Sequence, residues 1–173
     1  MRAAPISGWM WGALFFLCAV PRVSDGQERT HMAVVVSAQS GEDLAREAIS
    51  PDTLTQIFKR KKILWRRGGR IVPVNLPADS PLRQQFSMQI LKQSPEALDV
   101  YWNQQYFQGV LPPHVLASEA AILRFVAQTA NAIGYLSACS VDDSLRVVVL
   151  IDANGNLLPA AQMPDCGNAT VAR

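Results

Sequence analysis

The residues best placed to do chemistry lie in one short stretch, Leu76-Pro77-Ala78-Asp79-Ser80-Pro81-Leu82-Arg83. It follows a strand-like run, Arg70-Ile71-Val72-Pro73-Val74-Asn75, and opens a helix with Ser80 at the N-cap and Pro81 at the first helical position. A helix start of this kind directs unbonded backbone N–H groups past the strand end, which is an anion-binding arrangement. The donors on offer are the N–H groups of Leu82 and Arg83 and the hydroxyl of Ser80. Arg83 adds a guanidinium able to hold an oxyanion through two parallel hydrogen bonds. Two neighbours oppose this use. Pro81 has no N–H, and Asp79 brings negative charge to the same place. The plainer alternative is that Ser80 only caps the helix and Arg83 only faces solvent.

Other candidates are less specific. Lys59, Arg60, Lys61, Lys62, Arg66, Arg67 and Arg70 cluster around Ile63-Leu64-Trp65. Such a stretch could read nucleic acid, lipid headgroups or polyanionic glycans. Alternatively it is a solvated loop whose Ile63, Leu64 and Trp65 pack inward. Tyr101, Trp102, Tyr106 and Phe107 could line a cleft, but helix-to-sheet core is their expected use. His114 follows Pro112-Pro113 with no nucleophile or acid at a matching spacing. His31, His114, Cys139 and Cys166 do not form a zinc-ligand spacing. There is no paired-carboxylate constellation, no phosphate-cradling glycine loop and no Ser/His/Asp ordering. The expectation is therefore a non-enzyme without cofactor or metal.

These residues need a scaffold. His31 to Ser37 is a short valine-rich run that reads as a buried, parallel strand. Residues 38–49 are polar, then weakly helical. Ser50-Pro51-Asp52 starts a helix to about Phe58 with Leu54, Ile57 and Phe58 on one face. Gly68-Gly69 turns the chain into the strand that precedes Ser80. Ser94-Pro95-Glu96 starts the aromatic helix, which Gly109 and Pro112-Pro113 end, and Ser118-Glu119 starts another. Ala132 to Leu136 and Leu145 to Ile151 read as strands. Asn154-Gly155 then turns a hairpin back through Leu157-Leu158. Strands alternating with helices imply an α/β sheet with helices packed on it.

The chain has 173 residues, 49% hydrophobic content and a net charge of +2, enough for one cored domain and far from polycationic. Residues 1–26 read as a secretory signal. Arg2 is followed by an apolar run from Trp9 to Val20, and small residues Ser24 and Gly26 precede Gln27. An uncleaved anchor is the alternative, although the run is short for a membrane span. Lipidation of Cys18 fits poorly beside the bulky Leu17. Removing residues 1–26 takes away Arg2, Arg22 and Asp25, which leaves a net charge of about +1. Of the three cysteines, Cys139 and Cys166 remain, an even pair that in an exported chain suggests a disulfide rather than two free thiols. Nucleic acid is not expected as the partner of an exported protein.

Several segments in order resemble the phosphate-binding substrate-binding proteins of bacterial ABC transporters, above all their short single-domain relatives. They are Leu54-Thr55-Gln56-Ile57-Phe58, Trp65, Gly69, Ile71-Val72-Pro73-Val74, Ser80, Phe86, Tyr101-Trp102, Phe107-Gln108-Gly109 and Ala132-Ile133-Gly134-Tyr135. The resemblance spans about Val34 to Tyr135. It implies a single periplasmic-binding-protein-like lobe over residues 27–158, a mixed, mostly parallel sheet flanked by helices, with an irregular tail at 159–173. Two departures matter. Full members have two lobes, and this chain is long enough for one. Counting back from Phe86, the family's Arg falls on Leu76 and its Gly-Ser-Gly-Thr turn on Asp79-Ser80-Pro81-Leu82, so only Ser80 carries over. The resemblance implies a periplasmic protein that weakly binds phosphate or a similar small anion through Ser80, Leu82 and Arg83. The rival expectation is an envelope interaction module that keeps the fold and has lost the ligand. A third is self-association, with a second copy supplying the missing wall.

Overall fold

The structure, a computed structural model, describes residues 31–40 and 49–166. The expected signal sequence, the weakly helical 41–48 and the last residues of the tail lie outside the described residues.

Six strands form one sheet. They are β1 (Met32–Ser37), β2 (Val72–Asn75), β3 (His114–Val115), β4 (Ala132–Ser137), β5 (Leu145–Ile151) and β6 (Leu157–Leu158). Their order across the sheet is β3-β2-β4-β1-β5-β6. β2 runs parallel to β3 and β4, whereas β1 is antiparallel to β4 and β5, and β6 to β5. Four of the six strands therefore point one way, with β1 and β6 opposed. The expected mixed, mostly parallel α/β sheet is present in that sense, but the expectation that β1 itself is parallel is overturned. All six residues of β1 are buried. A strand covered on both faces is apolar throughout whichever way it runs, so its composition carries no direction.

Four helices cover the sheet: α1 (Pro51–Phe58), α2 (Pro81–Phe86), α3 (Pro95–Tyr106) and α4 (Glu119–Gln128). α2 continues into a π-helical turn, Ser87–Leu91, and stops where Lys92 adopts a positive φ of 56°. Serine occupies the N-cap position of all four, and proline at the first position fixes φ in three of them. Neighbouring residues of β4 show how the layers stack, because alternate side chains of a strand face opposite ways. A Cβ at Gly134 would come within 2.8 Å of Val74 and 2.9 Å of Ile122, so only glycine lets α4 approach this closely. The next residue, Tyr135, faces the other layer. Its ring stacks on Phe86 of α2 at 4.0 Å and 5°, and lies 5.8 Å from Phe58 of α1.

Two other expectations change. Trp65 is buried, but Ile63 and Leu64 are 46% and 54% exposed, so this part of the basic stretch does not pack inward. Of the aromatic set, Tyr101 and Trp102 are half-buried while Tyr106 and Phe107 stand in solvent. Tyr101 is held by the hydrogen bond its hydroxyl donates to Lys59 O at 2.8 Å, and the helix end beyond it is left uncovered. The Asn154-Gly155 turn and the hairpin into Leu157-Leu158 form as expected, with Gly155 at φ 85°. A short 3-10 turn, Ala160–Gln162, opens the otherwise irregular tail, and Cys139 and Cys166 form a disulfide across 27 residues.

Two outcomes follow from this packing. Gly134→Ala is expected to destabilise the protein by about 1–3 kcal/mol through overpacking between β4 and α4, measured by chemical denaturation. Replacing both cysteines by serine is expected to remove about 2–4 kcal/mol, the range for closing a loop of this length. Unfolding under reducing and non-reducing conditions would show the same difference for the unmodified chain.

Candidate anion site at the strand ends

β2 and β3 end side by side, with Val74 beside His114 and Asn75 beside Val115. The N–H of Leu116 donates to the carbonyl of Asn75 at 2.8 Å and holds the two exits together. Each strand then turns outward into a helix, β2 into α2 and β3 into α4. The two helix starts bracket a cleft of about 680 Å³, lined by residues 76–77, 79–81 and 117–120. It lies beyond the carboxyl ends of parallel strands, where α/β folds place their ligands.

The two helix starts differ in how they use their serine. Ser118 Oγ accepts from the Ala121 N–H at 3.2 Å, and Glu119 Oε2 accepts from the Ser137 N–H at 2.6 Å. The serines of α1 and α3 cap in the same way, accepting from Thr53 and Ala97. Ser80 stands at the N-cap with extended φ and ψ of −65° and 127°, yet its hydroxyl accepts no capping bond. The Gln84 N–H bonds to Ser80 O at 3.0 Å, so Leu82 and Arg83 lie in the turn ahead of it. Ser80, which lines the cleft, thus does not spend its hydroxyl on its own helix. Charge in the cleft opposes an anion. Asp79 and Glu119 line it, and no Lys or Arg does among the described residues.

The cation of this helix start is buried. Arg83 is only 7% exposed, and its Nη1 has no hydrogen-bond partner. Its guanidinium sits against the Tyr135 hydroxyl, which donates to Asn75 Oδ1 at 3.1 Å. Burial pushes the Tyr135 phenol above the ordinary tyrosine value, while the positive charge of Arg83, its hydrogen bond and the Leu76 backbone N–H pull it back part of the way. A buried guanidinium with an unmade bond is costly, and an anion is the partner that would satisfy it.

Of the three residues singled out from sequence, Ser80 lines the cleft. Leu82 points its side chain into the core, which leaves only its backbone as a donor. Arg83 neither faces solvent nor lines the cleft, and the expectation of a solvated helix residue is overturned. Its position follows from geometry: Arg83 shares the inward side of α2 with Leu82 and Phe86. Sequence reasoning missed Asn75, Tyr135 and the second helix start as parts of the site. Ser118-Glu119 was legible as a helix start. The two-residue β3 that brings it alongside β2 carries no readable pattern. Among the described residues no three His, Cys, Asp or Glu side chains gather as metal ligands would. His114 is exposed, with its ring 6.3 Å from that of Phe125.

The fold has solved counterparts. A phosphate ABC transporter substrate-binding protein from Clostridium perfringens, with phosphate bound, superposes with a TM-score of 0.53 and 19% identity, over 68% of this chain and 44% of that one. An ABC-type phosphate transport receptor from Vibrio cholerae superposes with a TM-score of 0.50 and 20% identity, over 68% and 46%. No known family profile and no curated protein sequence matches the chain. The likeness establishes the fold, that of a lobe of these substrate-binding proteins. The chain spans less than half the length of either counterpart.

Arg83→Met should leave the anion-free protein as stable or raise its stability, by up to about 4 kcal/mol, because an apolar side chain of similar length removes an unsatisfied buried charge. Thermal denaturation in an anion-free buffer reads this directly. Tyr135→Phe should act at high pH. With its folded value raised, Tyr135 contributes stability that is whole below the unfolded value of about 10 and is lost as pH rises through the folded value. The variant should therefore lose less stability above pH of about 10 than the unmodified protein.

Proposed function

We propose that the chain is an exported, non-catalytic single lobe that weakly binds phosphate or a similar small oxyanion at the start of α2. The observation that carries this reading is the pairing of an uncommitted Ser80 hydroxyl at the cleft with the unpartnered, buried Nη1 of Arg83 on the same helix turn. The N–H groups of Leu82 and Arg83 complete the donor set. The fold shared with a protein that holds phosphate supports the choice of anion. Weak binding follows from two features: one lobe offers few donors to offset desolvation of the anion, and Asp79 and Glu119 repel it. Export to the periplasm is supported by the Cys139–Cys166 disulfide, since such bonds persist in oxidising compartments. No described helix is long and apolar enough to cross a membrane.

A second reading has its own observation. Tyr106, Phe107, Leu111 and Val115 are all more than half exposed between the end of α3 and the edge strand β3. An envelope module that has lost its ligand would use such a surface.

Titration calorimetry with phosphate, sulfate and a neutral control separates the two. Phosphate should give heat and raise the melting temperature. Ser80→Ala should weaken binding about tenfold, as expected for a lost hydrogen bond to a charged group, and Arg83→Met should abolish it. No heat with any anion would leave the interaction module as the function. Sedimentation in the presence of phosphate shows whether a second copy closes the cleft, because binding through a shared wall makes the dimer anion-dependent.

A further inference from the structure

The hairpin that leads into β2 exposes two apolar residues, Ile63 and Leu64, on its first arm inside a concentration of positive charge. Residues 59–70 include seven Lys or Arg and no Asp or Glu. The hairpin is firmly built. Leu64 and Arg70 pair as an antiparallel bridge, the Ile71 N–H donates to Ile63 O at 2.9 Å, and the Trp65 N–H donates to Gly69 O at 3.1 Å. Gly68 and Gly69 close the turn at φ 90° and 87°, which side chains other than glycine rarely adopt. Trp65 pins the underside, with its indole N–H donating to Asn131 O at 3.3 Å. Arg60 Nη1 donates to Ile71 O at 3.0 Å from the flank. On this rigid support the consecutive residues Ile63 and Leu64 are each about half exposed, Arg70 is exposed across the bridge from Leu64, and Lys61 is exposed two residues before Ile63.

The local field is positive. Burial and then the like charge of Arg70 hold Arg60 below its ordinary value, and burial and then Lys61 do the same to Lys59. Charge alone would suit any polyanion. Two consecutive, half-exposed branched aliphatic residues on a braced hairpin arm suit a partner with an apolar interior below an anionic skin. The one aromatic of the hairpin, Trp65, is buried and cannot stack a nucleic-acid base or a sugar ring.

We propose that this hairpin docks the protein on an anionic lipid bilayer, with Ile63 and Leu64 entering the headgroup layer and Lys61 and Arg70 among the lipid phosphates. The hairpin precedes the first residue of β2 and the cleft follows its last, so docking leaves the cleft turned toward water. The two sites therefore stand or fall separately.

Co-sedimentation of the full chain with phosphatidylcholine vesicles, and with vesicles that also contain phosphatidylglycerol, tests the proposal. The neutral vesicles account for binding through the apolar run at 9–20. Binding should be at least about tenfold stronger on the anionic vesicles and should fall as salt rises. Ile63→Ser with Leu64→Ser should weaken it about tenfold, as should Lys61→Glu with Arg70→Glu. Melting temperatures confirm that the exposed substitutions leave the fold intact. Leu64→Trp provides an independent readout, since an indole entering the headgroup layer shifts its emission to the blue. Equal binding to both vesicle types overturns the proposal, as does no binding. Full binding by the double serine variant, with competition by soluble dextran sulfate, also overturns it and identifies a reader of soluble polyanions instead.

Discussion

Tyr135 is held at both ends, and the rest of the site depends on that. Its ring lies flat on Phe86 and its hydroxyl donates to Asn75 at the last position of β2. One side chain thus ties the middle of β4 to the body of α2 and to the strand that α2 follows. With the helix clamped to the sheet, the turn between β2 and α2 has no freedom to drift, and Ser80 is carried to the rim of the cleft. The clamp can form because Gly134, the neighbour of Tyr135, gives up its own side chain to let α4 close on the opposite face. Both layers and the cleft between their helix starts are set by two consecutive residues of one strand.

The electrostatics of that corner are divided between depths. The rim is acidic through Asp79 and Glu119, and Glu119 is already engaged with the Ser137 N–H. The cation, Arg83, is buried against the Tyr135 phenol, whose ionisation burial disfavours. In a low dielectric an unmade bond on a guanidinium weighs more than a charge at the surface, which is screened by water and salt. The two charges of this corner are thus weighted differently: the buried guanidinium strongly, the rim carboxylates weakly.

Far more of the scaffold than of the site was legible in the sequence. Helix starts announced themselves through Ser-Pro pairs, because the cap and the fixed φ of proline are local effects. The strand from Leu145 to Ile151 and its Asn154-Gly155 turn were equally plain. Direction was not legible for β1, since a strand buried on both faces has the same composition either way. Exposure failed at Ile63, Leu64, Tyr106 and Phe107 for a related reason. An apolar residue signals that it prefers burial, not that another element is there to cover it.

By itself the sequence determined the helices and the longer strands, the α/β class, the pairing partners available to Cys139 and Cys166, and the helix start at Ser80. These follow from backbone propensity, capping and short-range periodicity, which act within a few residues. Only the tertiary structure decided that Ser118 faces Ser80, that Arg83 turns under the cleft to meet Tyr135, and that Ser80 keeps its hydroxyl uncommitted. Those outcomes join residues 30 to 60 positions apart, and they depend on which strands lie side by side. The two-residue β3 that creates the cleft has almost no local signal and exists because β2 offers it an edge.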